Sequence, residues 1–325
     1  MSIIERALQK LQSGGRPAAP PASPSPAPTP LPSVRAPDPA HREPRAVIGD
    51  PSRAVTIDFD ALRRSGLLPP EHQQRELAHQ FRTIKRPLIR NAFDVTATAP
   101  ARSAPRTVMV TSALPGEGKT FNSINLALSM SLEKDYSVIL VDGDVARPQL
   151  SNVFGVLDQP GLLDVLADSN VTVASVVRPT NVRGLSILPV GRRTETATEL
   201  LASARMRHTL AQLEQLDPQA MILVDSPPVL VTSEARVLAS LFAQVVVVVR
   251  AGATPQEAVL EAISIIGEGP RIGMVLNQVT HGTVAGSYYG YDSYSGYGTD
   301  AAAPGADSAG GGVPGRIAAV AGEPT

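Results

Sequence analysis

The chain has 325 residues, with 29 Lys+Arg against 30 Asp+Glu, no Cys, no Trp, 30 Pro and 26 Gly. The absence of Cys excludes a disulfide scaffold, a thiolate-held zinc site and a cysteine nucleophile. The near-zero net charge hides an asymmetry: residues 1–106 carry 16 Lys+Arg against 9 Asp+Glu and the remainder 13 against 21, so the basic part is N-terminal and suits an acidic partner, an anionic membrane face or a plain solvated linker.

Along the chain, Ile3, Ile4, Ala7, Leu8 and Leu11 recur at helical spacing and predict a short amphipathic helix over 1–12, too short to persist undocked. Twelve of the 30 prolines fall between Pro17 and Pro51, in a run nearly devoid of core formers, so 13–70 is expected to be a disordered linker. Arg75–Asn91 places Leu77, Phe81, Ile84 and Leu88 on one side of a helix that Pro87 should end or kink. From Thr107 the texture changes. Strands are expected at Thr107–Ser112, Ser137–Val141, Leu185–Val190, Met221–Val224, Gln244–Val249 and Arg271–Leu276, with helices at Lys119–Leu132, Leu200–Leu216, Ser233–Phe242 and Pro255–Ile266. This alternation predicts an α/β fold for 71–281, a doubly wound and mostly parallel sheet with helices on both faces, which binds ligands at the carboxyl ends of its strands. The longest apolar run, Val245–Val249, is far below the roughly 20 residues of a membrane span, and residues 1–12 lack the apolar stretch of a secretory signal. A cytoplasmic location is the expectation. Residues 282–325 read as a disordered Gly/Ser/Tyr-rich tail.

The first strand runs into Ser112-Ala-Leu-Pro-Gly-Glu-Gly-Lys-Thr120 and then a helix, the context of a phosphate-binding loop. Within Ala113, Leu114, Pro115, Gly116, Glu117, Gly118, Lys119, Thr120 and Phe121, the glycines free backbone amides for phosphate oxygens. Lys119 would reach the β and γ phosphates, and the Thr120 hydroxyl would hold Mg²⁺. Ala113 stands where the eight-residue pattern has its first Gly. Two more strand ends carry carboxylates, Asp142 and Asp144 after one and Asp225-Ser-Pro-Pro228 after another. A single such Asp is often a cap, whereas three beside a phosphate loop make a metal and base constellation. Tyr288, Tyr289, Tyr291, Tyr294 and Tyr297, five of the six tyrosines, crowd ten residues of the tail. No core there can use their rings, so they read as phosphoacceptors or as a self-associating tract.

With these three motifs the sequence resembles the bacterial tyrosine kinases of capsule and exopolysaccharide assembly, most of all the autokinases that accompany exosortase-type loci, over Arg75–Tyr297. The resemblance implies an ATP- and Mg²⁺-dependent tyrosine autokinase that regulates exopolysaccharide biosynthesis or export. Thr120, Asp142 and Asp225 would organise the metal, Asp142 and Asp144 would deprotonate the tyrosine, Lys119 would be catalytic, and Asn277 is similar to an adenine-contacting Asn. It further implies a separate membrane-bound chain-length regulator as activator, homo-oligomers through trans-phosphorylation and no nucleic acid. Ala146 stands where the family has Arg after the second aspartate, with Arg147 one place later, and His79, Arg82 and Lys85 align with the Glu-x-x-Arg-x-x-Arg ring helix. The competing reading is a chromosome-partitioning or division-positioning ATPase switch without kinase activity, whose signature Lys is Leu114 here. A nucleotide site that has decayed into an interaction surface is the third.

Overall fold

The computed structural model describes residues 48–93, 104–232, 234–279 and 316–320. The chain divides into two units, Met1–Pro44 and Arg45–Thr325, and every described residue lies in the second. The helix expected over 1–12 lies outside them.

Six parallel strands form the sheet's body: β1 (Ala104–Ser112), β2 (Ser137–Asp142), β4 (Leu185–Leu188), β5 (Ala220–Asp225), β6 (Phe242–Arg250) and β7 (Arg271–Val279). Two antiparallel edge strands, β3 (Arg178–Pro179) and β8 (Arg316–Val320), complete the order β3-β4-β2-β5-β1-β6-β7-β8. Apolar residues line both faces of the inner strands because both faces are covered. Met109, Ile139, Val141, Ile222, Val224 and Val247 pack under α5 (Leu162–Ala167), α6 (Val173–Val176), α7 (Ala197–Leu201), α8 (Ala204–Leu216), α9 (Glu234–Ala239) and α10 (Gln256–Ile266). Their alternates Val108, Val110, Leu140, Leu223 and Val248 pack under α2 (Gln74–Phe93), α3 (Lys119–Ser131) and α4 (Gln149–Val153). The doubly wound sheet expected from the sequence is thus the one observed.

The structure departs from the sequence reading in four places. Folded chain begins well before 71: Ile48, Val55, Ile57, Leu62, Leu67 and Leu68 are buried, and α1 (Phe59–Arg64) starts at Asp58, whose carboxylate accepts from the Asp60 and Ala61 amides at 2.9 Å. The proline-rich composition hid six apolar residues spaced too irregularly to show a period. Helix α2 runs through Pro87 without ending. Leu77, Phe81, Ile84, Leu88 and Ala92 are buried along it, and Gln244 of β6 grips it past the proline, donating to Leu88 O at 3.1 Å and accepting from Asn91 at 3.1 Å. The helix expected over 200–216 divides at Ala202 and Ser203 into α7 and α8. The expected tail of 282–325 contains β8, whose backbone pairs with the edge of β7.

Candidate active site

The loop after β1 and the ends of β2 and β5 meet because these three strands are adjacent in the sheet. Asp142 and Asp225 are register partners at the carboxyl ends of β2 and β5, so their side chains share a face. Gly143 N donates to Asp225 O at 2.8 Å, and a Cβ at Gly143 would lie 2.8 Å from Val224 Cγ1, so only glycine allows these strand ends to close together.

Two residues at the start of α3 each meet a carboxylate from a different strand end. Lys119 Nζ lies 2.7 Å from Asp144 Oδ2, and Thr120 Oγ1 donates to Asp225 Oδ2 at 2.7 Å. Ser123, one turn on, donates to Asp225 Oδ1 at 3.1 Å. Asp142 accepts from the Ser151 amide at 2.7 Å and the Asp144 amide at 3.3 Å. Asp142, Asp144, Thr120 and Asp225 are all buried. Burial and then the charge of Asp225 push the Asp142 carboxyl up to about 7, and burial likewise raises Asp225 against the opposing pull of Lys119 and Thr120. Burial works to lower Lys119, yet Asp225, Asp144 and Asp142 together hold its ammonium above the ordinary range.

The loop is braced from the opposite side of the sheet. Glu117 is buried; its carboxylate accepts from Leu114 N at 2.7 Å and from the Thr254 hydroxyl, which precedes α10. Asn277, at the end of β7, donates from Nδ2 to Glu117 O at 2.9 Å. Gly118 has φ +94°, and a Cβ there would sit 2.1 Å from Asn277 Nδ2, so glycine is required twice over. Ala113 is fully buried and accepts at its carbonyl from Leu230 N (3.3 Å), while Pro115 and Gly116 are exposed at the loop tip. Phe121 meets Phe81 of α2 with ring centroids 6.5 Å apart.

A cavity of about 300 Å³ opens here, lined by Gly116, Gly118, Lys119, Thr120, Phe121 and Asn277, and also by Ser65, Gly66, Leu67, Gln149 and Gln278. Those five were not read from the sequence. The positive φ of Gln278, 59°, is the one such non-glycine value among the described residues, and it falls at the cavity wall. Ala146 and Arg147 are exposed; Arg147 N donates to Asp144 Oδ1 at 3.0 Å. Tyr288, Tyr289, Tyr291, Tyr294 and Tyr297 lie outside the described residues, in the stretch between β7 and β8.

No group of three or more His, Cys, Asp or Glu suited to a metal ion occurs among the described residues. The donors present are a hydroxyl and two strand-end carboxylates, hard oxygens in the small number that Mg²⁺ takes when phosphates and water complete its shell. No helix among them is long and apolar enough to cross a membrane.

A sequence profile of the ParA family, described as NUBPL iron-transfer P-loop NTPase, matches residues 103–268. The chain is 30% identical over 157 residues to the tyrosine-protein kinase YwqD of Bacillus subtilis, covering 48% of this chain and 65% of that one. It is 31% identical over 174 residues to the tyrosine-protein kinase etk of Escherichia coli K12, covering 53% and 23%. The solved kinase domain of the Escherichia coli kinase ETK superposes with a TM-score of 0.53 at 26% identity, covering 66% of this chain and 80% of that one. The VpsO kinase domain gives 0.52 at 27%, covering 65% and all of that chain. The chain therefore spans just under two thirds of the Bacillus relative and about a quarter of the Escherichia one.

Proposed function

Since the chain belongs to the ParA family of P-loop NTPases, in the branch of the bacterial tyrosine kinases, we propose that it is an ATP-dependent protein-tyrosine autokinase that phosphorylates its own tyrosine cluster and regulates exopolysaccharide biosynthesis or export. One observation carries this reading: Lys119 and Thr120, adjacent at the start of one helix, each bond at 2.7 Å to an aspartate from a different strand end. Phosphoryl transfer asks mainly for positioning and charge neutralisation, and this cluster has the groups for both.

In the reading, the amides of Gly116–Thr120 cradle the phosphates, and Lys119 turns from Asp144 to the transferring group. Thr120, Asp142 and Asp225 would hold Mg²⁺, which when bound neutralises charge on the phosphate oxygens. Asp144, released by Lys119, and Asp142 beside it are the carboxylates that would take the proton of the incoming tyrosine hydroxyl. Tyr288, Tyr289, Tyr291, Tyr294 and Tyr297 are the acceptors, in trans between copies of the chain, and a separate membrane-bound chain-length regulator is the activator, holding the kinase at the inner membrane face.

Incubating the purified full chain with Mg-ATP and mapping phosphotyrosine tests the proposal. Phosphate is expected on the cluster and none in Lys119→Met. Mixing Lys119→Met with a chain whose five cluster tyrosines are Phe should restore it in trans. ATP hydrolysis with no phosphotyrosine, even beside the activator, would select the ATPase-switch reading instead.

A further inference from the structure

The turn Ser65-Gly66-Leu67, between α1 and the start of α2, lies in a stretch whose composition resembles a linker, yet it lines the cavity of the phosphate loop. Its place there is fixed. Asn125 of α3 donates from Nδ2 to Leu67 O at 2.9 Å and also to Phe121 O at 2.7 Å, tying the turn to the helix that leaves the loop. Leu62, Leu67 and Leu68 are buried in the same cluster as Phe81, Ile124 and Leu126.

The turn's chemistry differs from that of the loop it faces. The amides of Ser65, Gly66, Leu67 and Leu68 are all spent on carbonyls of α1, namely Ala61, Arg63 and Leu62. The Ser65 hydroxyl donates to Leu62 O at 3.0 Å and Leu67 O already accepts from Asn125, so what the turn can offer a ligand is acceptor oxygen and bare backbone surface, which suit hydrogen-bond donors and not phosphate anions. Gly66 holds φ +71°, and a Cβ there would meet no atom within 4 Å, so the space beside it is open. The phosphates belong to the loop amides and Lys119; the nucleoside must occupy the rest of the cavity.

We propose that Ser65, Gly66 and Leu67 form the wall of the nucleotide site that receives the sugar and base, accepting hydrogen bonds from ribose hydroxyls or the exocyclic amine. The proposal rests on the nucleotide reading of the site and adds a binding segment to it. Gly66 then sets how closely the nucleoside approaches.

Gly66→Asn tests this, because Asn tolerates the left-handed backbone while adding a side chain to the wall. Binding of Mg-ADP and of Mg-pyrophosphate is measured by calorimetry on the full chain, with Gly155→Asn as control. Gly155 also has positive φ and open space at a helix end, with Val156 N donating to Ser151 O, but it follows α4 and does not line the cavity. Gly66→Asn should weaken Mg-ADP about tenfold, the order of one lost or displaced hydrogen bond. Mg-pyrophosphate should bind unchanged, and Gly155→Asn should match wild type for both. In wild type, Mg-ADP should also slow hydrogen exchange at the Leu67 and Leu68 amides, a readout that holds should Gly66→Asn fold poorly. Equal binding of Mg-ADP by Gly66→Asn and wild type overturns the wall, as do an equal loss of both ligands and unchanged exchange. If those results come with intact phosphotyrosine, the wall falls and the kinase reading stands. A wild type that binds no Mg-ADP removes both.

Discussion

Glu117 sits inside the phosphate loop, yet it is nearly sealed from solvent and spends its carboxylate on the loop's own Leu114 amide and on Thr254 across the sheet. These two bonds brace the loop's curvature from within the protein. Glu117→Ala leaves two donors without their acceptor, a loss of about 1–3 kcal/mol in stability, and should raise the KM for ATP roughly tenfold with kcat little changed. Glu117→Gln keeps one acceptor and should fall between; thermal melts and initial rates check both. Asp142 permits a second prediction. Its folded value of about 7 lies above the ordinary 3.8, so between these pH values the unfolded chain has lost a proton that the folded one retains. Raising pH through that window therefore favours unfolding, at up to about 1.4 kcal/mol per unit. In chelator, wild type should lose a few kcal/mol between pH 4 and 7 that Asp142→Asn does not, leaving the variant the more stable at pH 8. Coincident denaturation curves for the two at pH 8 would count against a buried charge there. Gly118-Lys119-Thr120 could be read from sequence because its chemistry is contiguous. The same reading placed Glu117 in the loop but not its bracing role, since its partner Thr254 is 137 positions away.

Helix α2 shows what periodicity carries and what it omits. Its spacing announced Leu77, Phe81, Ile84 and Leu88 as a buried face, but the same face includes Lys85. The ammonium lies 2.7 Å from Glu133 and donates to Ser129 O at 2.6 Å, fastening α2 to the end of α3, while His79 and Arg82 on the same helix stay exposed. Of the three positions aligned with a ring-forming helix, one is thus committed to the core. The pair is asymmetric, because Lys85 is buried and Glu133 is 41% exposed. Removing the acid strands a cation in the interior; removing the lysine leaves an acid in water. Glu133→Ala should cost about 2 kcal/mol, Lys85→Met less than about 1 kcal/mol and Arg82→Ala no more than about 0.5 kcal/mol. Urea titration ranks them, and the reverse order for the first two would show that Lys85 reaches water. Of the two outcomes expected at Pro87, an end or a kink, the end does not occur, because the proline removes one helical hydrogen bond locally whereas burial before and after it, at Ile84, Leu88 and Ala92, holds the helix on.

At the scale of the whole molecule, the sheet was readable because each inner strand is an unbroken apolar run between turns. Where the domain begins was not readable. Composition assigned 13–70 to a linker on the strength of its prolines, and proline density does weaken the case for a core. The structure gives the second half of that stretch to the domain. Ser186 Oγ donates to Ile48 O at 3.0 Å, Val55 bridges Thr180 at the β3 edge, and Ile57 N donates to Asn181 Oδ1 at 2.9 Å. The chain then crosses to the phosphate loop and enters α2. A chain cut at Glu71, the boundary that composition suggests, loses the burial of Ile48, Val55, Ile57, Leu62, Leu67 and Leu68 and exposes their partners. At roughly 1.5 kcal/mol or more per side chain, the loss approaches the 5–15 kcal/mol that holds a typical domain together. A chain starting at Arg45 sets the reference midpoint in urea. One starting at Glu71 should be unfolded, or melt far lower, and bind no Mg-ADP. Equal midpoints for the two truncations would mean that 48–70 lies on the domain without supporting it, and the wall proposed at Gly66 would then have to stand on its binding measurements alone.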